Sequence, residues 1–219
     1  MRAWRGALAA FLTIVGFGLG CTATAAELIK GKDYQSISPP LATDNSRIEV
    51  TEFFWYGCPH CFDFEPVLGS WLKKLPPDVS FRRVPAIFPN NQWAPAASLY
   101  YSLEAMGLLE QLHDDVFKAT HIERKRLSNE KILHEWLAAK GVDIKKFRET
   151  WSSFGVKSRV AQARRLTLAS GMTGVPSLMV NGMYLALPQP KHEDMVATVD
   201  QIVERIRAES GRKPGAVGR

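Results

Sequence analysis

Two cysteines three positions apart, Cys58 and Cys61, enclose Pro59 and His60, and thiols at that spacing can exchange electrons with a disulfide. They follow RIEVTEFFWY, residues 47–56, which begins with alternation and ends in a continuous apolar run, as a strand entering a buried sheet does. From Cys58 onward Phe62, Phe64, Val67, Leu68, Trp71, Leu72 and Leu75 recur at helical spacing until Pro76 and Pro77 stop the pattern. The cysteines therefore open a helix. Pro59 suits its first turn, where a missing N–H costs nothing, whereas Pro66 falls inside and is expected to kink it. At a helix N-terminus the unpaired N–H groups and the dipole favour an anion, so Cys58 is the expected nucleophile. Cys61 is placed to resolve a mixed disulfide or to close the ring. The His60 imidazole can donate a hydrogen bond or a partial charge to the Cys58 thiolate, which would stabilise the reduced form and make the disulfide more oxidising.

Other uses of the pair are weaker. A zinc site takes four ligands, and no second Cys pair or His pair is spaced to complete one. A c-type haem needs His after the second cysteine, where Phe62 stands. A structural disulfide is the serious rival, although a bridge closing so small a loop adds little stability. His113, His121, His134 and His192 have no metal-binding spacing and receive no role. No metal and no cofactor is expected. Phe54, Trp55 and Tyr56 either line an apolar surface for substrate or pack in the core. Glu52 is an acid within an apolar strand, and alternation turns it toward a buried face, where its pKa should rise; the alternative is a surface acid at the strand end. Lys73 and Lys74 could pair with acids, but nothing marks them as catalytic.

The 219 residues are 46% apolar and 23% charged, which describes a globular core rather than a disordered chain. The formal charge is +6, and Arg2 and Arg5 lie in a segment expected to be removed, leaving +4. The basic residues are scattered, so no nucleic-acid partner is expected. Glu123-Arg124-Lys125-Arg126 is the one cluster, read as a solvated loop. After Arg2 and Arg5 comes an apolar stretch from Ala7 of roughly 14 residues, shorter than a spanning helix, with Ala23, Ala25 and Ala26 supplying a small-residue cleavage pattern. This reads as a secretory signal peptide over 1–26. Gly18 three positions before Cys21 departs from a lipobox, which argues against a lipid anchor. The exported chain would keep only Cys58 and Cys61, and where disulfides persist, a large domain with a single pair uses it for chemistry.

Val79 to Pro85 reads as a second strand. Amphipathic helices follow over Trp93 to Met106, Leu108 to Thr120, Ser128 to Lys140 with Ser128 as N-cap, Asp143 to Ser152 with Asp143 as cap, and Val156 to Ser170. Ser177 to Val180 and Met183 to Leu187 form a hairpin through Asn181-Gly182, and Lys191 to Ala208 is the last helix. The expected organisation is an α/β unit in two parts, 27–90 and 166–210, interrupted by a helical insertion over 91–165 and followed by a tail over 211–219.

Glu52-Phe-Phe, Cys58-Pro-His-Cys61 with Phe64-Glu65, the helical insertion, Gly174-Val-Pro-Ser and Val180-Asn-Gly together resemble the thioredoxin superfamily, and within it the DsbA family of periplasmic disulfide oxidoreductases. The resemblance implies an α/β thioredoxin fold, a mixed central sheet with flanking helices, carrying a large all-helical insertion. It implies that Pro176 is cis and faces the disulfide, that Val175 offers backbone groups to an extended substrate, and that Glu52 lies beneath the cysteines and helps move a proton to or from Cys61. The implied activity is donation of the Cys58–Cys61 disulfide, in the periplasm and by a monomer, to unfolded exported proteins with reduced cysteines. A DsbB-like quinone-linked membrane oxidase would then restore it. A reductase or isomerase on the same fold, or a non-redox peptide-binding chaperone, is the alternative. Reductases typically carry Gly-Pro between the cysteines, and about 20 residues before the first strand are too few for an isomerase's dimerisation module.

Overall fold

The computed structural model describes residues 27–44, 46–90, 92–211 and 215. The expected signal peptide, Cys21 and most of the tail lie outside the described residues. No helix among the described residues is long and apolar enough to cross a membrane.

Among the described residues β1 (Tyr34–Ser36), β2 (Ile48–Phe54), β3 (Val79–Pro85), β4 (Ser177–Val180) and β5 (Tyr184–Ala186) form one sheet in the order β1-β5-β4-β2-β3. Its central strand is β2 (Ile48–Phe54), buried along its whole length, which explains why the expected alternation gives way to a continuous apolar run. Helix α1 (Pro59–Leu72) connects β2 to the parallel β3 (Val79–Pro85). α1 runs unbroken over 14 residues with Pro66 inside it. On the other side β2 pairs antiparallel with β4 (Ser177–Val180), which pairs with β5 (Tyr184–Ala186). Asn181 and Gly182 join these two strands with φ of 53° and 64°, the double left-handed turn that an Asn-Gly hairpin requires. A Cβ on Gly182 would meet the Leu41 carbonyl oxygen at 2.1 Å, so the close approach also needs glycine.

The edge strand β1 (Tyr34–Ser36), paired with β5, was not expected. Between β3 and β4 run α2 (Ala94–Ala105), α3 (Leu109–His121), α4 (Glu130–Ala139), α5 (Ile144–Ser152) and α6 (Phe154–Ser170). α6 continues unbroken through position 165. The cap of α4 is Asn129 rather than Ser128, its side chain accepting from the Ile132 N–H, while Asp143 caps α5 as expected. The last helix is α7 (His192–Ser210).

Two apolar clusters sandwich the sheet. Ile48, Val50 and Val79 pack with Phe64 and Leu68 of α1 and with Met195, Val199 and Ile202 of α7. Phe53, Phe54 and Tyr56 pack into the helical block against Leu103, Phe117 and Leu137. The β2 to α1 junction lies where these clusters meet.

Candidate active site

The sequence turns from strand to helix within four residues after Phe54. Cys58 is the N-cap of α1, with extended backbone, and its N–H donates to the Trp55 carbonyl at 2.9 Å. Pro59 and His60 are exposed, whereas Cys61 is fully buried and Cys58 retains 7% exposure. Both cysteines are present as thiols.

The two thiols are electrostatically unequal. A hydrogen bond from the Cys61 thiol, backbone N–H groups of Cys61 and His60 and the charge of His60 all favour the anion on Cys58. Against the opposing effect of burial, they bring its pKa down to about 6. Burial, followed by the nearby Cys58, drives Cys61 far above the usual thiol range. One sulfur is thus an accessible thiolate near neutrality and the other a shielded thiol, the division that separates a nucleophile from a resolving group.

Across from Cys58 stands the loop before β4. The Cys58 Sγ lies 3.5 Å from the Val175 carbonyl oxygen, and the Val175–Pro176 peptide is cis. Pro176 is buried and Val175 half-buried, and the structure brings Val175 beside the Cys58 sulfur. Ser38–Pro39 is a second cis peptide, away from this loop in sequence.

Below the thiols lies a charged network. Glu52 falls on the same face of β2 as Ile48 and Val50, which α1 covers. Parallel register sets Arg83 of β3 directly beside it, and Arg83 Nε lies 3.1 Å from Glu52 Oε2. Burial outweighs the attraction of Arg83, and the Glu52 pKa rises to about 8. Arg83 also reaches Glu65 of α1 at 2.9 Å. Glu65 in turn meets His113 of α3: Oε1 lies 3.3 Å from Nε2, while His113 Nδ1 lies 2.8 Å from the Tyr56 hydroxyl. Burial lowers the His113 pKa, so the imidazole is neutral, with Nε2–H donating to Glu65 and Nδ1 accepting from Tyr56. Burial also acts to raise the Glu65 pKa, but the His113 hydrogen bond and the Arg83 charge hold it below the usual carboxylate range.

Of the residues singled out in the sequence, the structure gathers Cys58, Cys61, His60, Pro59, Val175 and Pro176 at one end of the sheet and buries Glu52 beneath them. Arg83 was missed, His113 was given no role and Tyr56 was read only as an apolar or core residue; Arg83 rather than Lys73 or Lys74 meets the buried acid. A basic residue in strand β3, pairing in register with an acid in β2, was the available signal. His121, also given no role, has its Nε2 2.8 Å from the Tyr56 carbonyl oxygen and its ring stacked on Phe62.

Residues 49–200 match the family model of the DSBA-like thioredoxin domain. The chain is 39% identical over 194 residues to the thiol:disulfide interchange protein DsbA of Pseudomonas aeruginosa, covering 86% of this chain and 90% of that one. The protein of the same name from Azotobacter vinelandii is 42% identical over 173 residues, with 77% and 80% covered. The chain belongs to the DsbA family. The crystal structure of Pseudomonas aeruginosa DsbA superposes with a TM-score of 0.77 at 39% identity, covering 83% of this chain and 95% of that one. The DsbA oxidoreductase from Xylella fastidiosa gives 0.77 at 32% identity, over 83% and 98%. The fold expected from the sequence, a thioredoxin-like sheet carrying a helical block, is therefore the fold of this DsbA family member, which is a thiol:disulfide oxidoreductase.

Proposed function

We propose that this DsbA family member works in the periplasm as a disulfide donor, and the inequality of its two thiols is the observation that carries the reading. In the oxidised enzyme a substrate thiolate attacks the Cys58 sulfur, a new S–S bond forms, and the Cys58–Cys61 bond breaks. The electron pair leaves on Cys61, whose high proton affinity demands immediate protonation. Glu52, buried and protonated at neutral pH, is the acid beneath the site that supplies this proton, directly or through water, and Arg83 steadies the carboxylate that results.

The second substrate thiolate then attacks the substrate sulfur of the mixed disulfide and expels Cys58. A thiolate with a pKa of about 6 is a good leaving group, because the developing charge is already stabilised. The substrate departs with a disulfide, having lost two electrons, and the enzyme keeps them as the Cys58 thiolate and the Cys61 thiol. Stabilising the reduced form in this way makes the oxidised form a stronger oxidant. Val175 offers backbone groups beside the reacting sulfur, to which an extended polypeptide of any sequence could pair. His60 supports the thiolate and Pro59 starts the helix that holds it.

The substrates are unfolded exported proteins with reduced cysteines. A quinone-linked membrane oxidase of the DsbB kind returns the enzyme to its disulfide, and the enzyme acts as a monomer. The signal-like segment over 1–26 supports export. We divide the mature chain into a thioredoxin-like unit over 27–90 and 166–210 with the helical insertion over 91–165 between its parts. Equilibration of the purified mature protein with graded glutathione redox buffers tests the assignment. A potential well above the roughly −270 mV of thioredoxin is expected. A value at or below that mark would make the protein a reductase or its disulfide a structural bridge.

A further inference from the structure

The thiol chemistry makes no use of the basic loop between α3 and α4, yet that loop forms one wall of a cavity beside the nucleophile. The cavity has a volume of about 320 Å³. Its floor is apolar, built by Trp55, Pro95, Leu99, Val116 and Leu127. Arg124, Lys125 and Arg126 stand along its edge, and Gly57 lies in its wall. The Gly57 Cα is one peptide, about 3.8 Å, from that of Cys58.

Both sides of the cavity are held in place. The Trp55 ring stacks on Trp93 with centroids 4.4 Å apart and planes within 3°, and Phe88 packs edge-on against Trp93. Trp55 also lies flat over Gly57, so close that a Cβ there would sit 2.4 Å from the indole. The opposite loop is tied back to α3 and α4: the Lys125 N–H donates to the Ala119 carbonyl at 2.8 Å and the Asn129 N–H to that of Arg126 at 2.9 Å. Arg124 takes a left-handed φ of 55°. The one acid of the loop, Glu123, is bound to Lys125. Arg124 and Arg126 are exposed and paired with no carboxylate among the described residues.

Two uncompensated guanidinium groups over an apolar, aromatic floor suit a ligand that is acidic and apolar at once. The cavity is lined by Gly57, the residue next to the cysteine that a substrate polypeptide must reach. Resting on the disulfide-donor reading, we propose that it is a substrate subsite favouring an acidic residue next to a large apolar one near the reacting cysteine. An extended strand advances about 3.4 Å per residue and the cavity wall begins one residue from Cys58, so these residues lie close to that cysteine in the substrate sequence. Backbone pairing at Val175 accepts any sequence, and this subsite adds a preference to it. The attraction acts between exposed charges, so it is modest and screened by salt.

The test is oxidation of two reduced dithiol peptides that differ only beside the reacting cysteine, one carrying Asp-Trp and one Asn-Ala. Comparing their kcat/KM ratio within each protein makes every variant its own control. In the wild type the acidic aromatic peptide is expected to be preferred several-fold to about tenfold, with the preference shrinking as salt rises. In the double variant Arg124→Glu, Arg126→Glu the ratio is expected to fall to one or below. A wild-type ratio of one, or a ratio unchanged in the double variant, overturns the subsite. So does a ratio of one combined with sedimentation on anionic phospholipid vesicles, which would assign the basic edge to a membrane surface. If the oxidised wild type oxidises neither peptide, it is the disulfide-donor reading that fails.

Discussion

The Glu52 carboxylate and the Arg83 guanidinium lie 3.1 Å apart, yet neither Glu52 oxygen nor Arg83 Nε makes a hydrogen bond of acceptable geometry. Their contact is a close approach without hydrogen-bond direction, set by two backbone positions that face each other across parallel strands. Arg83 is also shared with Glu65. A wholly buried carboxylate with half of one cation is under-compensated, and it holds its proton instead.

Removing that ionisable group should stabilise the fold in a pH-dependent way. The Glu52 pKa rises from an ordinary 4.5 to about 8 in the folded protein. The native state therefore binds a proton more tightly than the unfolded one, and stability is lost as pH climbs from about 4.5 to about 8. Glu52→Gln avoids this loss. At pH 4 the variant and the wild type should match, and by pH 8 the variant should lead by on the order of 4 kcal/mol in denaturant unfolding. A difference that stays flat across this range would mean that Glu52 is ionised throughout.

Alkylation of the reduced protein reads the nucleophile directly. The Cys58 thiolate should appear with a midpoint near pH 6, while Cys61 remains unmodified well past neutrality. Linkage carries the same information. Lowering a thiol pKa from 9 to about 6 stabilises the reduced fold fully above pH 9, and the gain disappears as pH falls through about 6. Between those limits the reduced form should gain on the oxidised form with rising pH. A single alkylation step near pH 9 would remove the physical basis of the oxidase assignment.

His60 is one contributor to that thiolate, ranked behind the Cys61 thiol and the backbone N–H groups. Its replacement by Ala should raise the Cys58 pKa and lower the reduction potential. The drop should be on the order of tens of millivolts, since a tenfold change in a two-electron equilibrium is about 30 mV. An unchanged potential would leave His60 as an exposed spacer.

Where local pattern decides the outcome, the sequence was legible. Asn181-Gly182 specified its hairpin because both positions need left-handed backbone, and Val79 to Pro85 emerged with the expected ends. Tyr34–Ser36 escaped notice because three residues carry no periodicity, and only pairing with β5 makes them a strand. Ser128 and Asn129 are both good caps, and the choice between them rests on a geometry that composition does not encode. The redox pair is local and was visible at once. The network beneath it is not: Glu52 meets Arg83 through register, and His113 reaches Tyr56 and Glu65 across 57 and 48 positions. A histidine on a helix shows nothing of partners so far away in sequence.

Removing the resolving thiol should freeze the reaction at its midpoint. Cys61 is buried behind Cys58, so an incoming substrate thiolate reaches Cys58 first. In Cys61→Ser protein, a mixed disulfide at Cys58 can be cleaved by a second substrate thiol but no longer by an internal one. Offered a single-cysteine peptide as its mixed disulfide with a small thiol, the Cys58 thiolate forms a new S–S bond to the peptide sulfur and expels the small thiolate, so peptide adducts should accumulate and disappear on reduction, visible as added mass. Cys58→Ser should form none, because its remaining sulfur is shielded and holds its proton. Equal trapping by the two variants would mean that the sulfurs share the attack. Adducts on Cys58→Ser alone would reverse the roles, and either result would separate the burial of Cys61 from any part in directing the exchange.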